Sequence, residues 1–425
     1  MILHHISGAE EKNLKKYVIS GGAPLFGETD IQGSKNSAVA ILMSTLATSG
    51  ISVLTNVPMI EDVTACIKIL KALGCEITYE SETALRIDTV NAEYTALPEE
   101  LTKKLRASSY LIGALTARFG RCQLPKSGGC DFGKRPIDQH ICALKTLGAQ
   151  IDKDELSAPN GLKGGRIVFP FKSVGATVNA IIAATACTAL TVIENAAKEP
   201  HITDLCSYLR KCGADITGAG SDIITVRGRR KLCGCAHRIG SDMIECGTYI
   251  CAAIASGGRI CCTNAPTSEL TAFLNVISRM GALVKYSESC ICVSSRKLFA
   301  TDVTTGAYPG FPTDLQPQIC TLCGIAYGES KITEAVFDNR LGHLNELKKF
   351  GLSCSINRNV AVINGTESYR PSSVTATDLR GGAAEVICAL NANGVSVING
   401  VELIERGYSH MPEKLRNLGA SISTI

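Results

Sequence analysis

Tryptophan is absent from this 425-residue sequence, and aromatic residues of all kinds make up only 5% of it. Charge of one sign is scarce too: the formal balance is +4, too mild to point to a nucleic-acid partner. The one basic run, Arg227, Arg229, Arg230, Lys231 and Arg238, has no aromatic residues interleaved for base stacking and follows the strand-like Ile223-Ile-Thr-Val226. It reads as a solvated hairpin. The first eleven residues contain no continuous apolar stretch, so neither a secretory leader nor a membrane anchor is expected there. The longest uncharged run, residues 173–193, reaches spanning length but is diluted by Gly, Asn and several threonines. It divides into an Ala-rich helix and a Thr-Val-Ile strand, a core segment. What remains, 45% hydrophobic and 19% charged, is the composition of an ordinary soluble protein long enough for two domains with substantial cores.

Cysteine, by contrast, is plentiful. Twenty are scattered through apolar patterns of a long chain, which argues for reduced thiols and a cytoplasmic protein rather than a disulfide framework. Cys320 and Cys323 form a C-x-x-C and Cys233 and Cys235 a C-x-C, but no His or Cys pair stands at zinc-site spacing from either. Core packing is expected for them, with no metal. Cys130 differs, because it lies in Lys126-Ser-Gly-Gly-Cys-Asp-Phe-Gly-Lys-Arg-Pro136, where three glycines free the backbone and Lys134 and Arg135 place two cations beside the thiol. Such a loop suits an anionic substrate. Gly128, Gly133 and Lys134 also fit a phosphate-binding P-loop, yet Arg135 occupies the position of the magnesium-binding hydroxyl, so nucleotide hydrolysis is not supported.

A second pattern sets the architecture. An apolar residue, two residues, an apolar residue and Gly recur at Leu70-x-x-Leu73-Gly74, Leu144-x-x-Leu147-Gly148, Leu209-x-x-Cys212-Gly213, Ile277-x-x-Met280-Gly281, Leu347-x-x-Phe350-Gly351 and Leu415-x-x-Leu418-Gly419. Subtracting successive glycine positions gives spacings of 74, 65, 68, 70 and 68 residues. Each Gly follows an amphipathic helical stretch, where a left-handed cap is wanted, and an alternating strand comes next. Six mixed α/β units of this size exceed a single core, so two three-unit domains with a cleft between them are expected, cut near residues 229–240. The strand at residues 16–20 is left over at the amino end.

Polar residues that interrupt the apolar pattern at the starts of units are candidates to line that cleft: Lys35 with Asn36, Arg106, Arg135 with Asp138, Asp314, Arg340, Asp378 with Arg380, and Arg406. Most open or precede a helix, where backbone N–H groups add to the pull on an anion.

Gly33-Ser-Lys-Asn36, Ser127-Gly-Gly-Cys-Asp-Phe-Gly-Lys-Arg-Pro-Ile-Asp138, Ser173-Val-Gly-Ala-Thr177, Phe311-Pro-Thr-Asp-Leu-Gln316, Phe337-Asp-Asn-Arg340, Ala376-Thr-Asp-Leu-Arg380 and Arg406-Gly-Tyr408 together resemble the signature segments of the UDP-N-acetylglucosamine 1-carboxyvinyltransferases, in order from about residue 17 to the end. The resemblance implies an α/β fold of two inside-out α/β barrel domains, each of three βαβαββ-type repeats. Residues 34–238 would form the first domain, and 1–33 with 239–425 the second, so that the leftover strand joins the second. It implies transfer of the enolpyruvyl group of phosphoenolpyruvate to the 3-hydroxyl of UDP-N-acetylglucosamine in peptidoglycan synthesis, without cofactor.

By the same resemblance Cys130 is the general acid at C3 or assists phosphate loss, Asp314 handles the sugar hydroxyl proton, and Asn36 contacts the reacting centre. Lys35, Arg135 and Arg406 hold the phosphate, Arg380 lies near the carboxylate, and Asp378 orients its neighbours. UDP-sugar contacts fall on Arg106, Arg135, Pro136, Ile137, Asp138, Gln139, Phe171, Lys172, Ser173, Val174, Asp314, Val336 and Arg340. Alkylation of Cys130 by the epoxide fosfomycin is implied as well. Lys134 and Arg135 should lower the thiol pKa while a general acid must keep its proton, a tension that bound phosphate would relieve. Two positions depart from the family pattern: Ser127 replaces a common proline, and Met243 replaces an arginine, removing an interdomain charge. The rival readings are a shikimate-pathway enolpyruvyl transferase, whose family lacks a Gly-Gly-Cys loop of this kind, and a non-catalytic UDP-sugar-binding paralogue.

Overall fold

All six repeat glycines adopt the left-handed backbone, with φ of 83° at Gly74, 103° at Gly148, 103° at Gly213, 101° at Gly281, 94° at Gly351 and 98° at Gly419. A side chain is strained there, which is why glycine recurs. Each turn sends the chain into a strand: Glu76–Ser81, Gln150–Asp152, Asp215–Thr217, Leu283–Tyr286, Ser353–Asn357 and Ser421–Thr424. In the computed structural model, which describes residues 15–96, 109–124, 137–228 and 231–425, each of these strands is the edge of a separate sheet. One three-stranded and five four-stranded sheets result among the described residues, one per repeat.

Three of the sheets are completed by segments from far along the chain. Lys16–Gly21 pairs antiparallel with both Gly394–Asn399 and Ser421–Thr424, and Phe26–Asp30 pairs parallel with Arg259–Thr263. Ala236–Arg238, after the third repeat, returns to pair parallel with Ile51–Thr55 of the first. Two hydrophobic cores follow. One gathers buried residues from Ala38 to Ile239; the other joins Tyr17, Ile19, Leu25 and Ile31 to residues from Ile244 to Ile422.

Helices enclosed by the sheets fill each core. Met243–Ala255, Gln316–Cys323 and Leu379–Asn391 pack on one another in the second lobe, and nearly every residue in them is buried. Burial on all sides requires small side chains, and the sequence supplies Gly, Ala and Cys. Cys246, Cys251, Cys320, Cys323 and Cys388 are among them, acting as small hydrophobes; burial pushes the Cys323 thiol up to about 12. In the first lobe, helices Leu111–Phe119 and Val174–Ala184 approach so closely that a Cβ on Gly113 would lie 2.6 Å from the Asn179 carbonyl oxygen. The uncharged run divides as expected into helix Val174–Ala184 and strand Leu190–Glu194. No helix among the described residues is long and apolar enough to cross a membrane.

One expectation is corrected. Reduced thiols were expected throughout, whereas Cys261 and Cys292 are joined in a disulfide. They are directly opposed on adjacent antiparallel strands, a proximity set by sheet register and invisible to linear spacing.

Candidate active site

Four of the enclosed helices follow a side chain that satisfies their first N–H groups. Ser34 accepts from Ser37 N, Ser173 from Ala176 N, Asp242 from Ile244 and Glu245 N, and Asp378 from Arg380 and Gly381 N. Their positive ends are therefore fixed in place, and the sequence puts functional groups on those same turns: Lys35 and Asn36, Val174, and Arg380.

Asp62 is the first junction between the lobes. Its Oδ2 lies 2.9 Å from Lys35 Nζ, and its Oδ1 accepts from Arg406 Nε at 3.0 Å. Burial works against the Asp62 charge, but Lys35 and Arg406 outweigh it and hold the carboxyl below its ordinary range. Lys35 is tied from the second lobe as well, since its backbone N–H donates to Asp242 Oδ2 at 3.0 Å. Two of the three cations expected to hold a phosphate are thus gathered around one internal carboxylate.

Asp314 centres a second cluster, whose ion-pair partners lie in its own lobe. Its Oδ1 accepts from Arg340 Nη2 at 2.6 Å and its Oδ2 from Arg380 Nη2 at 3.2 Å. Burial raises its proton affinity, but Arg380, Arg340 and Lys35 together hold the carboxyl well below the usual carboxylate range. Because Lys35 acts on Asp314 and also bonds Asp62, the two clusters form one charged region. Arg380 is buried over the Tyr408 ring, 5.5 Å from its centroid, and its Nη1 has no hydrogen-bond partner among the described residues. Asp378 Oδ1 serves as the helix cap for Arg380 and Gly381, a positioning role.

The described residues expected to contact the sugar nucleotide sit mostly at helix starts and in loops. Ile137, Asp138 and Gln139 open helix Asp138–Thr146, and the Gln139 amide is buried without a hydrogen-bond partner among the described residues. Phe171 is exposed, Lys172 Nζ pairs with Asp222, and Ser173 caps the helix that starts at Val174. Val336 sits in a loop whose N–H groups, at Val336 and Phe337, donate to Glu334 Oε1 at 2.9 and 3.1 Å. Glu334 Oε2 accepts from Thr313 Oγ1 at 2.9 Å, which ties that loop to the turn bearing Asp314. Cys130, Arg106, Arg135 and Pro136 lie outside the described residues.

Sequence reasoning missed Asp62, Asp242 and Glu334, which hold the expected residues in place. Asp62 looks like any acid in the first turn of a helix, and its partner Arg406 is 344 residues away. It also missed His201, a buried imidazole kept neutral by burial although Glu199, Asp314, Asp204 and Asp242 pull it the other way. Met243 begins its helix beside Asp242, and nearby, burial followed by Asp204 and Asp242 pushes the Glu269 carboxyl up to about 8.

Replacing Asp62 by Asn should destabilise the protein by about 3 kcal/mol at neutral pH, because two nearly buried cations lose their counter-charge. A folded pKa below the unfolded one means the stabilisation is full above about pH 4 and is lost as pH falls through the folded value. Thermal melts of both proteins should therefore differ constantly from pH 7 to 5 and converge at lower pH; a gap that ignores pH would refute the pairing.

Known proteins resemble this chain along nearly its whole length. The family described as EPSP synthase (3-phosphoshikimate 1-carboxyvinyltransferase) matches residues 19–415. A Clostridium botulinum protein named UDP-N-acetylglucosamine 1-carboxyvinyltransferase is 42% identical over 414 residues, 96% of this chain and 99% of its own. A protein of the same name from Haemophilus ducreyi is 39% identical over 415 residues, 96% of this chain and 97% of its own. Among solved structures, the enolpyruvyl transferase NikO from Streptomyces tendae superposes with a TM-score of 0.88 at 24% identity, covering 97% of this chain and 99% of that one. EPSP synthase from Acinetobacter baumannii does so with 0.74 at 18% identity, over 97% and 100%. The six-repeat, two-lobed α/β architecture is theirs, and this chain belongs to the EPSP synthase family of enolpyruvyl transferases.

Proposed function

We propose that the protein transfers the enolpyruvyl group of phosphoenolpyruvate to the 3-hydroxyl of UDP-N-acetylglucosamine, releasing phosphate, in peptidoglycan synthesis. The observation that carries the chemistry is the convergence of Lys35, Arg340, Arg380 and Arg406, from both lobes, on Asp62 and Asp314. The acceptor rests on the relatives named for it, about 40% identical along nearly their whole length. The two hydrophobic cores support a division into domains 34–238 and 1–33 with 239–425, with the site between them.

Addition of an alcohol to C2 of an enol phosphate requires a proton at C3, and elimination then removes a proton from C3 and expels phosphate to leave an enol ether. Cys130 supplies the acid, and Asp314 accepts the proton of the sugar hydroxyl. Lys35 and Arg406, with Arg135, exchange Asp62 for the phosphate oxygens, and Arg380 uses its spare Nη1 on the carboxylate. Asn36, next to Lys35 at the positive end of its helix, faces the reacting carbon. In the free protein Asp314 is ionised but a weak base, because Arg380 and Arg340 hold its proton affinity down. An anionic substrate that engages those guanidiniums weakens their hold, so substrate binding itself raises the basicity of Asp314. No step calls for a metal or organic cofactor.

Phosphate release from phosphoenolpyruvate separates the family's two acceptors. It is expected with UDP-N-acetylglucosamine and not with shikimate 3-phosphate; the reverse assigns the protein to the shikimate pathway, and release with neither from folded protein indicates a binding role. Fosfomycin should add once, at Cys130, as read by intact mass and peptide mapping. Labelling of Cys130→Asp at the wild-type rate would rule that out.

A further inference from the structure

The outer face of one second-lobe sheet carries sulfurs that the proposed reaction does not use. Strands Arg259–Thr263 and Cys290–Ser294 run antiparallel, with Cys261 directly opposite Cys292. Their alternate residues Ile260, Cys262, Ile291 and Val293 are buried in the core, so Cys261, Cys290 and Cys292 share the outer, half-exposed face. Cys290 Sγ lies 3.9 Å from Cys292 Sγ, and all three sulfurs are within 4.8 Å of one another.

We propose that Cys261, Cys290 and Cys292 form a redox-gated site for one soft, thiophilic cation such as Cu(I), Zn(II) or Cd(II). Thiolates select such ions over hard cations that prefer oxygen. With metal–sulfur bonds of about 2.3 Å, three sulfurs around one ion stand about 4 Å apart. The Cys290–Cys292 pair already has that separation, and only Cys261 and Cys292 must part. Both side chains reach the solvent face, so χ1 rotation moves the sulfurs without disturbing the core. Register places Lys285 beside Cys292, a cation that offsets the surplus negative charge of three thiolates on a divalent ion, and Glu28 beside Cys261.

The gate is the disulfide. A dithiol reductant attacks one of its sulfurs, the S–S bond breaks, and the reductant's second thiol closes to a cyclic disulfide, leaving Cys261 and Cys292 as thiols. The cation then binds as each of the three thiols releases a proton. With the disulfide closed only Cys290 remains, and one thiolate is a poor site. Neither the phosphate-binding cations nor the Cys130 loop takes part, so this site stands or falls separately from the transfer reaction.

Full-length protein, reduced with a dithiol and freed of it without air, would be titrated with Cd(II) and followed by sulfur-to-metal charge-transfer absorption and native mass. One ion per chain is expected. Cys261→Ser, Cys290→Ser and Cys292→Ser should each weaken its binding by about 100-fold or more, since loss of even a supporting residue costs up to that much. Cys142→Ser, at an exposed thiol of the other lobe, should not. Thiol alkylation of the wild type gives a second readout that needs no variant: Cd(II) should protect the three cysteines together. Uptake by the unreduced protein equal to that of the reduced one, no uptake by the reduced protein, unchanged affinity in the three variants, or equal alkylation with and without Cd(II) would each overturn the proposal.

Discussion

Asp314→Asn is expected to lower kcat by about 10³-fold, within the range for loss of a positioned acid or base. The amide keeps the size of the carboxylate but cannot take the proton of the sugar hydroxyl. Arg340 and Arg380 lose their shared counter-charge, so some weakening of phosphoenolpyruvate binding accompanies the loss. The split between the parameters separates the roles. Loss of a base falls on kcat, whereas loss of a residue that merely holds two arginines falls on KM for phosphoenolpyruvate. Steady-state phosphate release at saturating substrate decides it, and a kcat within tenfold of wild type would reduce Asp314 to a positioning residue. The variant should also be less stable, evenly between pH 5 and 8. The depressed carboxyl is fully ionised over that range, and its contribution is lost only as pH falls through the folded value.

Glu385→Gln should do the opposite to stability. Glu385 lies on the enclosed helix Leu379–Asn391, fully buried, with neither carboxylate oxygen hydrogen-bonded among the described residues. Burial, followed by Glu346 and Asp378, pushes its carboxyl up to about 8, against the pull of Lys349. A raised carboxyl favours the fold when protonated, so its contribution is full below about pH 4.3 and is lost progressively as pH rises to about 8. The glutamine variant carries no such loss. Its advantage over wild type should grow between pH 5 and 8 and level off above, reaching on the order of 5 kcal/mol. Denaturant unfolding at a series of pH values reads this directly, and a pH-independent difference would mean that Glu385 finds a cation or water that stabilises its charge.

How much of this was legible in the residues depends on how local the physics is. The repeat glycines were legible because a left-handed turn after a helix is a demand on one residue, repeated six times. Lys35, Asp314, Arg340, Arg380 and Arg406 were legible because they break apolar patterns at the starts of units, and the structure gathers them into one charged region. The residues that hold them were not. Asp62 earns its importance from a partner in the other lobe, and Glu334 from a turn that only the folded chain brings alongside. The pairing of Cys261 with Cys292 depends on sheet register, which no linear spacing encodes. The strand Lys16–Gly21 had no home in the repeat pattern because its partners lie at the opposite end of the chain.

The most direct test of the addition-elimination account is to run the reaction with UDP-N-acetylglucosamine in deuterium oxide and analyse the vinyl group of the product. Protonation at C3 makes a transient methyl group, and elimination removes one of its three hydrogens, so deuterium should appear in the product methylene. A product vinyl group free of deuterium, or no enolpyruvyl sugar nucleotide at all, would contradict the account.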